Sequence, residues 1–334
     1  MRCAAVVVLA LAACGGGGDG KSDKPKTDVA DDERCDPTES RVCVGASVVE
    51  CNSGTLGRRI RSCHDGCKHG ACVASCDADG VELIYVVDTS NNFLSFDPRK
   101  LPDDPFHLIG RLDCTSFGTP FSMSVDRGGI AWVLYSSGEL FRVSIQDAKC
   151  QPTTYRAGTG GVATFGMGFV TDAAKSKSEK LYIAANNGTR GLAYIDTAGT
   201  TPAFKAVGTI AATVSQNPEL TGTSEAKLFG FYPGSFDDVS FVQEIDRASG
   251  AALGTRWSLG TQPIGTISAY AFAHWGGTFY IFLTADDSTV RTINRQTGAY
   301  KTVLEHVPYR ISGAGVSTCA PELDNGKPPP PRAP

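Results

Sequence analysis

The residues of this chain best suited to chemistry are its twelve cysteines, its five histidines and a few adjacent acids. The densest group is CHDGCKHGAC, which brings Cys63, His64, Cys67, His69 and Cys72 together. Thiolate and imidazole are zinc ligands, but structural zinc sites use paired C-x-x-C spacings. Here Cys63 and Cys67 lie four apart, and Cys67 and Cys72 five apart. The expectation is disulfides, with no metal and no cofactor. Asp237-Asp238 and Asp286-Asp287 fall in the polar turns of equivalent hairpins and read as solvated turn acids. The stretch Asp77-Ala78-Asp79-Gly80 begins like a calcium loop, but Asp88 stands where the twelfth-position glutamate is needed, so it reads as a linker. His107, His274 and His306 are scattered singly, and His274, beside Trp275, reads as a packed or surface residue. The chain has no G-x-S-x-G elbow, P-loop, dinucleotide fingerprint or H-E-x-x-H. No catalytic residue is assigned.

The compartment decides which chemistry the cysteines do. Residues 1–13 place Arg2 before a run of small and aliphatic residues. Ten apolar residues in a helix span about 15 Å, half of a hydrocarbon core of roughly 30 Å, so the run reads as a signal segment and not as a membrane span. Its exit, Leu11-Ala12-Ala13-Cys14, resembles the lipobox of bacterial lipoproteins. That resemblance implies cleavage before Cys14, diacylglycerol on its thiol and acylation of the new amino group. Each buried methylene is worth about 0.8 kcal/mol, and several chains anchor stably where one does not. The expected partner is therefore a membrane, reached through the N-terminal lipid. Gly15 follows the cysteine in place of the aspartate that retains such proteins in the inner membrane, which implies the outer one. Residues 14–33 are rich in Gly, Asp and Lys and have no aromatic residue, the composition of a flexible tether.

An exported chain meets an oxidising compartment. Cys3 leaves with the signal and Cys14 carries lipid, so ten cysteines remain for five bridges. Cys35, Cys43, Cys51, Cys63, Cys67 and Cys72 crowd into a stretch with few large apolar residues, read as a small disulfide module over 34–76 with three bridges. Six cysteines allow fifteen pairings, so connectivity stays open. Cys76, Cys114, Cys150 and Cys319 supply two more, at least one of which could tie the module or the C-terminus to the main domain.

The remainder, 81–323, repeats. Segments starting at Leu83, Ile130, Leu181, Leu228 and Phe279 each show an apolar run, a polar turn, an alternating run and another turn. The second runs close at Phe96, Val143, Ile195, Ile245 and Ile293, which are 47, 52, 50 and 48 residues apart. Three of the closing turns, DTAG, DRASG and NRQTG, combine Asp or Asn with a glycine free to take positive φ. A period near fifty with paired strands marks a β-propeller. Short runs of small residues, SMSVD, GMGFV, LTGTS and AYAFA, precede repeats two to five and suit crowded innermost strands. Repeat one lacks such a run, and GAGVST near the C-terminus has no repeat of its own. The expectation is an all-β propeller of five blades, or six if one repeat is too divergent to see, closed when the C-terminal strand completes the first blade. The ID-x-x-[ST]-G turn is similar to that of bacterial propeller repeats of the PQQ/YVTN/NHL kind. Residues 324–334 are proline-rich and read as disordered.

The formal net charge of −4 is well mixed, without dense basic patches interleaved with aromatics, which argues against a nucleic-acid partner. The expected function is that of a lipid-anchored, non-enzymatic binding or scaffold protein of a bacterial cell envelope, with a protein or carbohydrate ligand. The competing class is an envelope lyase or glycosidase with acids at the propeller channel. Asp126 and Asp172, which follow innermost runs, are the candidates for that chemistry. No equivalent acid closes the runs at Ser224 or Ala273, which favours binding.

Overall fold

The computed structural model describes residues 34–322 except 46, 63–66, 69, 73–75, 77, 186–190, 198–201, 211–217, 235 and 236. The signal (1–13), Cys14, the tether (14–33), Cys63 and the proline-rich tail (324–334) lie outside the described residues.

The cysteine module folds as a three-stranded antiparallel sheet, β1 (Arg41–Val44), β2 (Ser47–Asn52) and β3 (Thr55–Ser62), beside a small pair, β4 (Cys67–Lys68) and β5 (Ala71–Cys72). Its described buried apolar side chains are Val48, Val49 and Cys51, too few for a self-sufficient core. Bridges Cys35–Cys51 and Cys43–Cys67 supply the missing constraint. Cys43 and Cys67 are thereby spent on a disulfide and are not free thiolates for a metal. Cys72 stands opposite Cys67 in the β4–β5 register.

The rest of the described chain is a β-propeller-like array of four-stranded antiparallel sheets. The first sheet begins with β6 (Ile84–Asp88), β7 (Asn92–Phe96) and β8 (Phe106–Arg111). The second holds β9 (Pro120–Val125), β10 (Ile130–Tyr135), β11 (Leu140–Ser144) and β12 (Cys150–Pro152). The third holds β13 (Gly166–Thr171), β14 (Glu179–Ala184), β15 (Leu192–Asp196) and β16 (Ala203–Gly208). The fourth holds β17 (Glu219–Gly222), β18 (Leu228–Tyr232), β19 (Phe241–Ile245) and β20 (Ala252–Ser258). The fifth holds β21 (Ala269–Trp275), β22 (Thr278–Thr284), β23 (Ser288–Asn294) and β24 (Tyr300–Leu304). The last strand, β25 (Ile311–Val316), returns to pair antiparallel with β6, from Ile311 opposite Asp88 to Val316 opposite Ile84. The orphan run at the C-terminus thus supplies the inner strand that the first repeat lacks.

Turn chemistry sets the spacing. Asp246 accepts from the backbone N–H groups of Ala248 and Ser249, and Gly250 closes the turn at φ 82°. Asn294 does the same for Gln296 and Thr297, and Gly298 sits at φ 71°. Side chains alternate across each strand, so every sheet buries both faces against its neighbours. Separate apolar clusters fill the spaces between successive sheets. One of them joins Ala271, Ala273 and Phe282 of the fifth sheet to Ile84, Val86 and Ala314 of the first. Each inner strand touches the next: β25 with β9, β9 with β13, β13 with β17, β17 with β21 and β21 with β25.

The inner strands lie very close together, which is why small residues fill them. A Cβ on Gly166 would stand 2.0 Å from the Pro218 carbonyl oxygen, an atom held by backbone. Overpacking of this kind costs about 1–3 kcal/mol or more. Gly166→Ala is therefore expected to lower the denaturation midpoint clearly, and an unchanged midpoint would show that the axis has slack. Hydroxyls stitch the strands across the gaps. Ser124 Oγ accepts from Phe169 N–H (2.9 Å), Thr221 Oγ1 accepts from His274 N–H (3.1 Å), and Ser312 Oγ donates to Pro120 O (2.7 Å).

The module rests on the second sheet. Arg41 pairs with Asp147 (3.3 Å), Arg142 with Glu39 (3.5 Å), and Gln146 Nε2 donates to Asp79 O (2.7 Å). Cys114–Cys150 ties the loop after β8 to β12, and Cys76–Cys319 ties the linker after the module to the C-terminal segment. Four disulfides among the described residues fit an oxidising, exported environment. Among the described residues no helix is long and apolar enough to cross a membrane.

Candidate functional site

All inner strands run the same way along the axis, so their starts gather at one end, here the upper, and their finishes at the lower. Asp126 and Asp172 both follow finishing strands and both lie at the lower end, yet each is absorbed by its own turn. Asp126 accepts from Gly128 N–H (2.9 Å), Ile130 N–H (3.0 Å) and Trp132 Nε1 (3.1 Å). Burial raises its pKa, and these bonds offset part of the effect. Asp172 takes Ser178 Oγ–H (2.5 Å) and pairs with the Lys180 ammonium. Burial pushes its carboxyl up, but these partners outweigh it and hold the group below the usual range. The arrangement is that of turn anchors, not of a general acid facing a base.

Sequence reasoning missed the groups that do converge. Glu179 opens β14 and accepts from Arg127 N–H at Oε1 (2.8 Å) and from Thr318 Oγ1–H at Oε2 (2.7 Å). Thr318 Oγ1 accepts in turn from Arg127 Nη1 (3.0 Å). Burial, followed by the Asp126 charge, pushes the Glu179 carboxyl up to about 8. Glu322 accepts from Ser224 N–H and Ser224 Oγ–H (2.7 Å) at Oε1, and burial raises its pKa. Gly276 N–H donates to Pro321 O (2.8 Å). Residues 317–322 therefore lie across the lower end of the axis, held by groups from the second, third, fourth and fifth sheets. His274, packed against Phe229 and Phe279 between the fourth and fifth sheets, is buried and its pKa falls to about 3, first from burial and then from the Arg295 charge.

The upper end holds Glu219, buried at the start of β17, with Ser122 Oγ–H donating to its Oε2 (2.9 Å). Burial drives its pKa well above the usual carboxylate range. This bond links the fourth sheet to the second across the axis. One sequence signal pointed there, an acid directly before the small-residue run LTGTS. On the upper rim the loop 113–119 is braced by Cys114–Cys150, by Ser116 Oγ donating to Glu139 (2.6 Å) and by Thr119 N–H donating to Ser136 Oγ (3.1 Å). It presents Phe117 wholly to solvent, at 107% relative exposure. A cavity of about 440 Å³ lies by the third sheet, lined by Val162, Ile183, Leu192, Phe204 and Val207. A polar cleft of about 290 Å³ separates module from second sheet, lined by Asp36, Glu39, Trp132, Arg142 and Gln151.

Of the other sequence candidates, Asp237-Asp238 and Asp286-Asp287 sit in equivalent loops between the second and third strands of their sheets. Asp287 contacts the exposed His306 (2.9 Å). His107 lies exposed on β8. Among the described residues no cluster of three metal-ligating side chains forms.

No family model matches the chain, and no curated protein matches it. Solved structures do. The chain is similar to Kuenenia stuttgartiensis hydrazine synthase at 14% identity and TM-score 0.38, over 66% of this chain and 62% of that one. It is similar to a chain of the mitotic checkpoint complex at 14% identity and TM-score 0.36, over 69% and 67%. It is also similar to U3-55K at 10% identity and TM-score 0.39, over 71% and 82%. The chain thus spans less than two thirds of the hydrazine synthase chain. At these scores the propeller-like class rests on this chain's own strand order and pairing.

Proposed function

We propose that the protein is a five-bladed β-propeller lipoprotein, anchored through Cys14 in the outer membrane of a bacterial envelope. It acts as a non-enzymatic binding or scaffold protein for a protein or carbohydrate ligand. One observation carries the reading. Among the described residues, the acids along the axis are spent on internal hydrogen bonds at both ends, and residues 317–322 cover the lower end. Catalysis at a propeller axis needs the opposite, acids open to a substrate. The braced loop with Phe117 and the polar cleft beside the module offer contact surface instead, and an aromatic on a pre-organised loop loses little freedom when it docks. The lipid anchor rests on the Leu11-Ala12-Ala13-Cys14 resemblance and agrees with the disulfides of an oxidising compartment.

Two measurements test this. Mass spectrometry of the mature N-terminus is expected to show cleavage before Cys14 with added acyl mass, and Cys14→Ser is expected to move the protein from the membrane to the soluble fraction. An unmodified N-terminus at Gly15 or beyond overturns the anchor. For the scaffold role, the protein is incubated with envelope polysaccharide. Product release that disappears in Asp172→Asn would make it an enzyme.

A further inference from the structure

The segment covering the lower end of the axis is held by hydrogen bonds, yet some polar atoms at its seat go unmatched. Among the described residues, five buried side-chain polar atoms lack a hydrogen-bond partner, and three of them belong to the segment or to side chains that touch it: Arg127 Nε, Arg295 Nη1 and Glu322 Oε2. Arg295 Nη1 and Glu322 Oε2 stand 3.9 Å apart, too far for a direct hydrogen bond. Buried polar groups left without a hydrogen bond disfavour the state that buries them, and water would satisfy these three if the segment lifted. Little apolar surface opposes this. In STCAPE, Ala320 is the side chain that joins an apolar cluster. The covalent hold is Cys76–Cys319, which joins chain positions 243 residues apart. It keeps the segment at high effective concentration over its seat. Both cysteines keep part of their surface exposed.

We propose that residues 317–322 form a disulfide-latched plug, and that reduction of Cys76–Cys319 opens the lower end of the axis without unfolding the propeller. The reductant is a dithiol. One of its thiolates attacks a sulfur of the bond and forms a mixed disulfide. Its second thiolate displaces the protein cysteine. This chain then carries two thiols, having gained two electrons and two protons, and the dithiol leaves as a disulfide. β25 stays in place, because Ile311, Ala314 and Val316 are buried between the fifth and first sheets. The opened end presents Arg127, Glu179, Ser224 and Arg295 to solvent.

The test is hydrogen exchange on the full chain carrying Cys76→Ser and Cys319→Ser. Peptides covering 317–322, Ser224 and Gly276 are expected to exchange at least tenfold faster than in the bridged protein, while β25 and β6 stay protected. A Cys114→Ser/Cys150→Ser variant is expected to keep the plug protected. Unchanged protection of 317–322 in the Cys76/Cys319 variant overturns the latch. So does loss of protection that spreads into β25 and β6, which would make the bond a support of ring closure. If the variant fails to accumulate, the same peptides decide in the native protein treated with dithiothreitol, once mass mapping shows the Cys76–Cys319 bond open.

Discussion

Deleting residues 311–334 is expected to abolish folded, soluble protein, whereas deleting 324–334 leaves the melting temperature unchanged. The longer deletion removes β25, the inner strand of the first sheet. It takes away the pairing to β6, the contacts of β25 with β9 and β21, and the buried side chains of Ile311, Ala314 and Val316. Burying a large aliphatic side chain contributes about 1.5–3 kcal/mol, and a whole domain has only about 5–15 kcal/mol to lose. The deletion also leaves β6 as an unpaired edge beside an opened apolar cluster, an invitation to aggregate. The shorter deletion removes no described contact, since the last of these are made by Pro321 and Glu322. An intermediate deletion of 317–334 separates closure from the plug, because it keeps β25 and removes the cover. It is expected to remain soluble with a lowered midpoint. Soluble, monomeric 1–310 with an unaltered melt would disprove closure by β25.

Stability is expected to fall as pH rises from 6.5 to 8, opposite to the usual behaviour of a protein held by ionised carboxylates. Glu179 titrates near 4.5 when unfolded and at about 8 in the folded chain, and buried Glu219 is raised in the same direction. Between those values the folded state binds more protons than the unfolded state. The contribution is thus fully present below about pH 4.5 and is lost as pH rises through the folded pKa. His274 works the other way. Its folded pKa of about 3 lies below 6.5, so its contribution is present above pH 6.5 and lost towards pH 3. The two limbs cross between pH 4.5 and 6.5, where maximum stability is expected. One pKa unit corresponds to about 1.4 kcal/mol, but Glu179 is only half-buried and solvent screens part of the effect, so a loss of roughly 1–3 kcal/mol is expected up to pH 8. Denaturant midpoints across this range check it. Glu179→Gln and Glu219→Gln should each flatten the alkaline limb, because a neutral amide has no proton to lose. Identical slopes in native protein and both variants would remove these carboxyls from the explanation.

Much of the fold was legible because it is local. The repeat of about fifty residues follows from strand periodicity and from turns such as Asp246 to Gly250, whose chemistry is complete within five residues. The small-residue runs marked the inner strands, and the unmatched GAGVST foretold the partner of β6. The even cysteine count, together with the export signal, implied bridges.

The site was less legible. Asp126 and Asp172 stood out because they follow inner strands, but hydrogen bonds a few residues long consume them. Glu219 meets Ser122 from 97 residues away, and Thr318 meets Glu179 from 139. No pattern along the chain encodes such meetings, since they depend on which strands the axis brings together. The cysteine pairing is of the same kind: Cys76 reaches Cys319 only because the ring closes and returns the C-terminus to the first sheet. Periodicity, turn residues and cysteine number are properties of neighbouring residues, and the sequence by itself determined what rests on them: an all-β repeat with a stapled module before it. Which acids are buried, which cysteines join and which end of the axis is covered were decided by tertiary structure alone, because each depends on distances that exist only after the sheets have closed around one another.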